Sequence, residues 1–461
     1  MTIRLLTSLG KKFGLLALAG ALSIGVMFCG PTAVADGAGS GGVDDQYQQI
    51  ATLTGPGIPY YHAPAFLLVA DIIYVDPALH RVYLSDASNV QPGTHGRVVG
   101  AVDAWDTRTF KFVGAMYGGF TGIAGFPASF DTEGPDGVLV DNLGHIWAGN
   151  GPGAANDGTV MVGDARTMKE IAVIKTGQKG RADELAYDPV NQTILVTNPG
   201  ASPPGWTLID AKTFKILGRG TLGAGVPAGS IEQPQFDPLL GKFVSSVAQL
   251  TSHDTHGALA VVDTQVSPHS HAVQARAFPL SVTCNPLGLT IGPGRDILAS
   301  CISGGPVIVS ASQGRAGFQT DQQFTQACCG DEAWYDPHLG RYYTAAFRNP
   351  SGTGNDPVVT VIDAQHQSFI TTIPIFRLFT QDRAPDMSFH AVAADPATGY
   401  VYVPAAAGIR VFAATPGAAV TTVQTSASWS GSLSWAVLGI AVLGCVLFEA
   451  GRRRRKLHSA G

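Results

Sequence analysis

One unit recurs seven times along the middle of the chain, and it restricts the fold more than any other feature of the sequence. The copies begin at Asp71 (DIIYVDPALHRVYLSD), Asp136 (DGVLVDNLGHIWAGN), Asp183 (DELAYDPVNQTILVTN), Glu232 (EQPQFDPLLGKFVSS), Asn285 (NPLGLTIGPGRDILASC), Asp331 (DEAWYDPHLGRYYTAA) and His390 (HAVAADPATGYVYVPA). Each reads as a short apolar strand, an Asp-Pro or related turn, and a second apolar strand. A second motif follows in most copies: Asp106-Thr-Arg-Thr-Phe-Lys, Asp164-Ala-Arg-Thr-Met-Lys and Asp210-Ala-Lys-Thr-Phe-Lys are near-identical, with looser forms at Asp263 and Asp363. Apolar strands flank it. Four short antiparallel strands in each unit, repeated every 46 to 65 residues, form a sheet that cannot bury both faces alone. Stacked around an axis, the sheets share one core. The sequence therefore predicts an all-β fold, a seven-bladed β-propeller over residues 47–416.

The last copy lacks a fourth strand after Thr415-Pro416. Tyr47-Gln-Gln-Ile-Ala-Thr-Leu-Thr-Gly-Pro near the start matches the outer strands of other copies, such as Met168-Lys-Glu-Ile-Ala-Val-Ile-Lys-Thr-Gly. This segment is expected to complete the seventh blade and remove an open sheet edge.

The two ends read as membrane signals. A charged start (Arg4, Lys11, Lys12), an apolar run from Phe13 to Phe28 and Ala33-Val34-Ala35 form a secretory signal over residues 1–35, with an uncleaved anchor as the alternative. Residues 36–46 are a Gly/Ser-rich spacer, and 417–428 a Ser/Thr-rich stalk. Trp429 to Phe448 carries no charge and matches a hydrocarbon core of about 30 Å. Arg452 to Lys456, within a basic tail over 449–461, places that side in the cytoplasm. The expectation is one C-terminal transmembrane helix (429–448) with the propeller outside the cytoplasm, periplasmic or at the cell surface; a cleaved sorting tail is the alternative. The net charge of -5 and pI near 6.2 disfavour nucleic acid as a partner.

With the turn Asp as a ruler, the residues five positions earlier are Asp71, Asp136, Asp183, Glu232, Asp331 and His390. In the fifth copy that position is Leu287, with Asn285 two residues before it. The first strand of a propeller blade is innermost, so this column is expected to ring one mouth of the central channel. Carboxylates crowded together raise one another's pKa. A bound cation, pairing with Arg181 or Arg383, or a water-filled channel would each relieve this, and oxygen-only ligands favour Ca²⁺ or Mg²⁺. The second strand of each blade ends at the same face. Asp86, Asn89, Asn150, Asn198, Arg348 and Asn349 are thereby placed around the mouth, either shaping a ligand pocket or sitting in solvated turns.

Four cysteines lie in the propeller: Cys284, Cys301, Cys328 and Cys329. Three pairings are conceivable. Cys284 starts and Cys301 ends neighbouring strands of one blade, which favours Cys284–Cys301 and leaves a vicinal Cys328–Cys329 bridge. There is no C-x-x-C spacing, no G-x-S-x-G elbow and no P-loop lysine motif. His253/His256 and His269/His271 read as loop histidines away from the channel.

Ile194-Leu-Val-Thr-Asn and Val401-Tyr-Val-Pro, each following an Asp-Pro turn, resemble the YVTN-type repeats of bacterial envelope propellers. The resemblance covers roughly residues 47–416 and implies the fold rather than an activity. The acid ring also resembles, in kind, calcium-dependent lactonase propellers of the gluconolactonase type. That resemblance implies Ca²⁺ held by Glu232, Asp331 and Asn285, with His390 as general base. Those lactonases usually have six blades, and their Asn-Gly motif stands here as Asn285-Pro-Leu-Gly. Two functions follow as expectations: a membrane-tethered binding module for a small-molecule or protein ligand, with a cation in the channel, and a metal-dependent lactonase or esterase.

Overall fold

The computed structural model describes residues 46–56, 69–91, 98–123, 132–152, 157–294, 296–311, 317–326, 328–349, 357–375, 389–405 and 408–415. The expected signal segment, stalk, transmembrane helix and basic tail, and Arg383, lie outside them. No helix among the described residues is long and apolar enough to cross a membrane.

Among the described residues, twenty-eight strands form seven four-stranded antiparallel sheets. The innermost strands are β2 (Ala70–Asp76), β6 (Val138–Val140), β10 (Leu185–Asp188), β14 (Ile231–Asp237), β18 (Pro286–Ile291), β22 (Cys328–Asp336) and β26 (Ala393–Ala394). Each touches the next, and β26 touches β2, so the ring closes at seven blades. In the seventh blade β1 (Gln46–Leu53) pairs antiparallel with β28 (Gly408–Thr415), supplying the outer strand that the C-terminal copy lacks.

Burial explains the apolar pattern. Middle strands such as β11 (Thr193–Asn198) are buried at every position, because neighbouring blades cover both faces. Outer strands such as β9 (Lys169–Lys179) face solvent on one side and alternate. Trp105, Trp147 and Trp206 are fully buried between blades. Burying a large side chain of this kind contributes roughly 2–3 kcal/mol.

Both recurrent Asp motifs are turn devices. Asp76 Oδ1 accepts from the Ala78 and Leu79 N–H groups, and Asp188 Oδ1 from those of Val190 and Asn191. In the second motif Asp106 Oδ1 accepts from Arg108 N–H, Thr109 N–H and Thr109 Oγ1, and the same pattern recurs at Asp164 and Asp210. Phe110, Met168 and Phe214 then take φ of 58°, 58° and 59° to reverse the chain. A carboxylate satisfying local backbone donors in this way is an Asx turn, so these repeated acids are used up in folding.

Candidate functional site: an acidic hub around Arg181

The inner strands begin irregularly, and this builds the site. Pairing registers slip by one residue at the starts of β2, β14, β18 and β22. In the third blade the Asp183 N–H donates to Thr197 O while the Thr197 N–H donates to Glu184 O, so two residues oppose one. Such a bulge re-aims side chains that would otherwise alternate. Asp183 and Glu184 consequently both reach the hub.

The hub collects carboxylates from several blades. Asp71, Asp136 and Asp183 each place an oxygen within 4.8 Å of the others, and Asp183, Glu184 and Glu232 form a second such group. One guanidinium sits among them: Arg181 Nη2 lies 2.8 Å from Asp183 Oδ2 and 3.7 Å from Glu232 Oε2. On the far side of the ring His390 Nδ1 lies 2.6 Å from Asp331 Oδ2. The Glu184 and Glu332 carboxyls, from the third and sixth blades, lie close enough in the hub to interact directly. Both are almost fully buried, and each leaves Oε2 without a hydrogen-bond partner.

Glu184 and Glu332 were not anticipated, because a regular strand would turn them away from the column. A sequence signal exists nonetheless. The Asp-Glu doublets at 183–184 and 331–332 each follow a blade with glycine at the equivalent second position, Gly137 and Gly288. A Cβ on Gly137 would lie 2.6 Å from Glu184 Cα, and one on Gly288 would lie 2.6 Å from Glu332 Cα. The glycines let the doublet-bearing backbones approach.

The electrostatics follow from burial. Burial raises the pKa of Glu184, aided by the charges of Glu332 and Asp183. It raises Glu232, aided by Asp183 and opposed by Arg181, and Glu332, aided by Asp331. Asp71 is raised by burial against the pull of Arg181 and His390. Burial works to discharge Arg181, but Asp183, Glu232 and Asp136 outweigh it and hold the guanidinium charged. Burial likewise pushes His390 down, and the hydrogen bond and charge of Asp331 overcome it, leaving its pKa above the ordinary value.

Other expected site residues are placed differently. Asn285 stands outside the column: the fifth-blade register puts Leu287 and Gly288 opposite Ser300, and the Asn285 amide donates to Ala248 O (2.8 Å) and Asp254 O (2.9 Å). The asparagines expected at the mouth are buried and hydrogen-bonded within the fold. Asn150 Oδ1 accepts from the Thr121 N–H and its Nδ2 donates to Thr159 Oγ1; Asn198 Oδ1 accepts from Thr207 Oγ1. Asn349 is also buried, with Nδ2 at 3.5 Å from Thr372 Oγ1. Asp86 and Asn89 belong to a buried network with Asp103, to which Asn89 Nδ2 donates at 2.7 Å. Burial pushes Asp86 up to about 6 against its hydrogen bonds from Ser88. Only Arg348 of the expected ligand-binding set is part-exposed.

Cys284 and Cys301 form a disulfide, fully buried in the fifth blade. The expected Cys328–Cys329 bridge is not formed: the two sulfurs lie 2.8 Å apart, beyond the bonded length of about 2.05 Å. The hydrogen bond from Cys328 lowers the Cys329 thiol to about 7, with Arg348 assisting against burial. Converting both Cys284 and Cys301 to alanine is expected to cost about 3 kcal/mol, the chain-entropy value for a loop spanning 17 residues. Denaturant unfolding of the double variant measures it.

No protein-family model and no curated protein matches the sequence. Solved structures do. A chain of the hydrazine synthase of Kuenenia stuttgartiensis is similar with a TM-score of 0.53 and 15% identity, over 77% of this chain and 98% of that one. The Cps50 (Swd1) β-propeller domain of Myceliophteria thermophila is similar with a TM-score of 0.53 and 9% identity, over 80% of this chain and 100% of that one. At such identities the likeness carries the propeller fold alone. The class defined is therefore a seven-bladed β-propeller, an architecture suited to binding or scaffolding, with an acidic hub.

Proposed function

We propose that this chain is a binding module whose hub holds a hard divalent cation, Ca²⁺ by its all-oxygen ligand set, and whose loop-rich face presents that site to a small-molecule or protein ligand. The observation that carries the reading is the two overlapping carboxylate groups sharing Asp183. If ionised, Asp71, Asp136, Asp183, Glu184 and Glu232 outnumber the cations that act on them, Arg181 and, at Asp71, His390, and the buried Glu184 Oε2 has no hydrogen-bond partner, a position that a cation would fill. Oxygen donors of this kind suit Ca²⁺ rather than zinc or copper. Asp331 is engaged with His390 and stands outside both groups. The apolar segment 429–448 and its basic flank support a membrane tether, with the propeller outside the cytoplasm.

The test is a Ca²⁺ titration of the purified protein, followed by calorimetry and by the thermal midpoint. At a hundredfold excess over Kd, binding stabilises by about 2.7 kcal/mol, a shift of several degrees. Asp183→Asn, which touches both carboxylate groups, is expected to abolish the shift. Neither heat nor shift at millimolar Ca²⁺ would overturn the cation site.

A metal-dependent lactonase or esterase is the second reading, favoured by the carboxylate that orients His390. The same contact raises the imidazole pKa and so lowers the fraction of His390 present as free base at a given pH. Lactone and ester hydrolysis lost in His390→Ala would support this reading, and an inert, folded protein would leave the binding role.

A further inference from the structure

We propose that Cys328 and Cys329 form a redox-active pair that exchanges with small-molecule disulfides, closing to a vicinal disulfide and reopening. Adjacent residues in an extended strand point to opposite faces, so neighbouring cysteines at the start of a strand would normally hold their sulfurs apart. Here Cys329 takes φ of 63°, a left-handed conformation uncommon for a residue with a Cβ. The surroundings hold it there. The Cys329 N–H donates to Gly304 O, and the following Gly330 has Ser300 Oγ only 2.4 Å from where a Cβ would stand. The backbone turn brings the sulfurs to 2.8 Å, so bond closure requires a movement of less than about 1 Å. Both side chains are half-buried rather than sealed, whereas Cys284 and Cys301 are fully buried. The pairs thus divide into one closed to reagents and one that solvent reaches. Arg348 lies opposite Cys328 in the strand pairing and places a cation beside the thiols.

The exchange runs in two displacements. The Cys329 thiolate attacks one sulfur of the small disulfide; its S–S bond breaks, a Cys329–S–S–R bond forms, and one RS⁻ leaves and takes a proton. The Cys328 thiolate then attacks Cys329 Sγ, forming the Cys328–Cys329 bond and expelling the second RS⁻. The protein loses two electrons and two protons, and the small disulfide is reduced to two thiols.

The experiment equilibrates the full-length chain in mixtures of reduced glutathione and glutathione disulfide, quenches with an alkylating reagent and weighs the peptides. The expected result is one reversible two-electron transition, from two alkylated thiols to none at 328–329, with no glutathione retained and Cys284–Cys301 unchanged throughout. Cys328→Ser should retain one glutathione on Cys329. Cys329→Ser should react about tenfold more slowly. Each variant is checked for an unchanged melting curve. Three results would overturn the proposal: a pair that stays reduced at every ratio, one that stays oxidised in excess reduced glutathione, or wild-type protein that accumulates the mixed disulfide.

Discussion

Replacing Arg181 by methionine is expected to lower the unfolding free energy at neutral pH by about 3–5 kcal/mol, the cost of stranding buried charge when one partner of a pair is removed. Methionine keeps much of the volume, so the loss reports charge. Arg181 contacts Asp183 at 2.8 Å and Glu232 at 3.7 Å, and it is the guanidinium within the carboxylate groups. The pH dependence has a definite sign. Glu184, Glu232, Glu332 and Asp71 have raised pKa values in the fold. Above the ordinary carboxylate range near 4 the folded hub holds more protons than the unfolded chain, so stability falls as pH rises toward the raised values. His390, also raised, contributes stability below about 6.5 that is lost as pH rises through its folded value, in the same direction. The metal-free protein should therefore melt higher at pH 5 than at pH 8. Arg181→Met should steepen that slope, because the ionised carboxylates lose their counter-charge. Melting curves across this range, with and without Ca²⁺, measure both effects. A variant as stable as the wild type at pH 8 without metal would mean that the hub carries little buried charge.

Deleting residues 44–54 is expected to abolish cooperative folding. The deletion removes β1 and exposes the edge of β28 in the seventh blade. Leu53 is fully buried, and the side chain of Tyr47 ties this strand to the sixth blade: its hydroxyl lies 3.0 Å from that of Tyr343 and accepts from Arg341 Nη1 at 2.6 Å. On the other side Trp105 Nε1 donates to Thr54 O, fixing the segment to the first blade. The lost packing and strand pairing amount to on the order of 5 kcal/mol or more, comparable with the whole net stability of a domain. Denaturant unfolding read by tryptophan fluorescence tests this: a single sharp transition at an unchanged midpoint would refute closure by β1 as a stabilising device.

The blade count and its closure were legible because both rest on local chemistry that repeats. An Asp that satisfies the N–H groups two and three residues on makes the same turn wherever it stands, as at Asp76 and Asp106. The buried Cys284–Cys301 disulfide was legible for a similar reason, since Cys301 ends the strand Asp296–Cys301 that pairs with β18 and Cys284 lies two residues before β18. The column of acids could be counted from the same ruler, and Arg181 could be named beside it as a pairing cation. The inward turn of Glu184 and Glu332 could not be read, because it depends on departures from the repeat.

What the sequence determined by itself is the periodic part of this protein: seven sheets, their turns, and an outer strand borrowed from the start of the chain, all set by alternation and hydrogen bonding within a few residues. The tertiary structure decided which acids meet. A one-residue bulge turned Glu184 inward beside Asp183, glycines at 137 and 288 let neighbouring backbones close up, and Arg181 settled between Asp183 of its own blade and Glu232 of the next. It also set Asn285 aside and brought two adjacent sulfurs onto one side of a strand. The physical reason is that burial and charge interact through space between blades, at distances that no spacing along a single chain encodes.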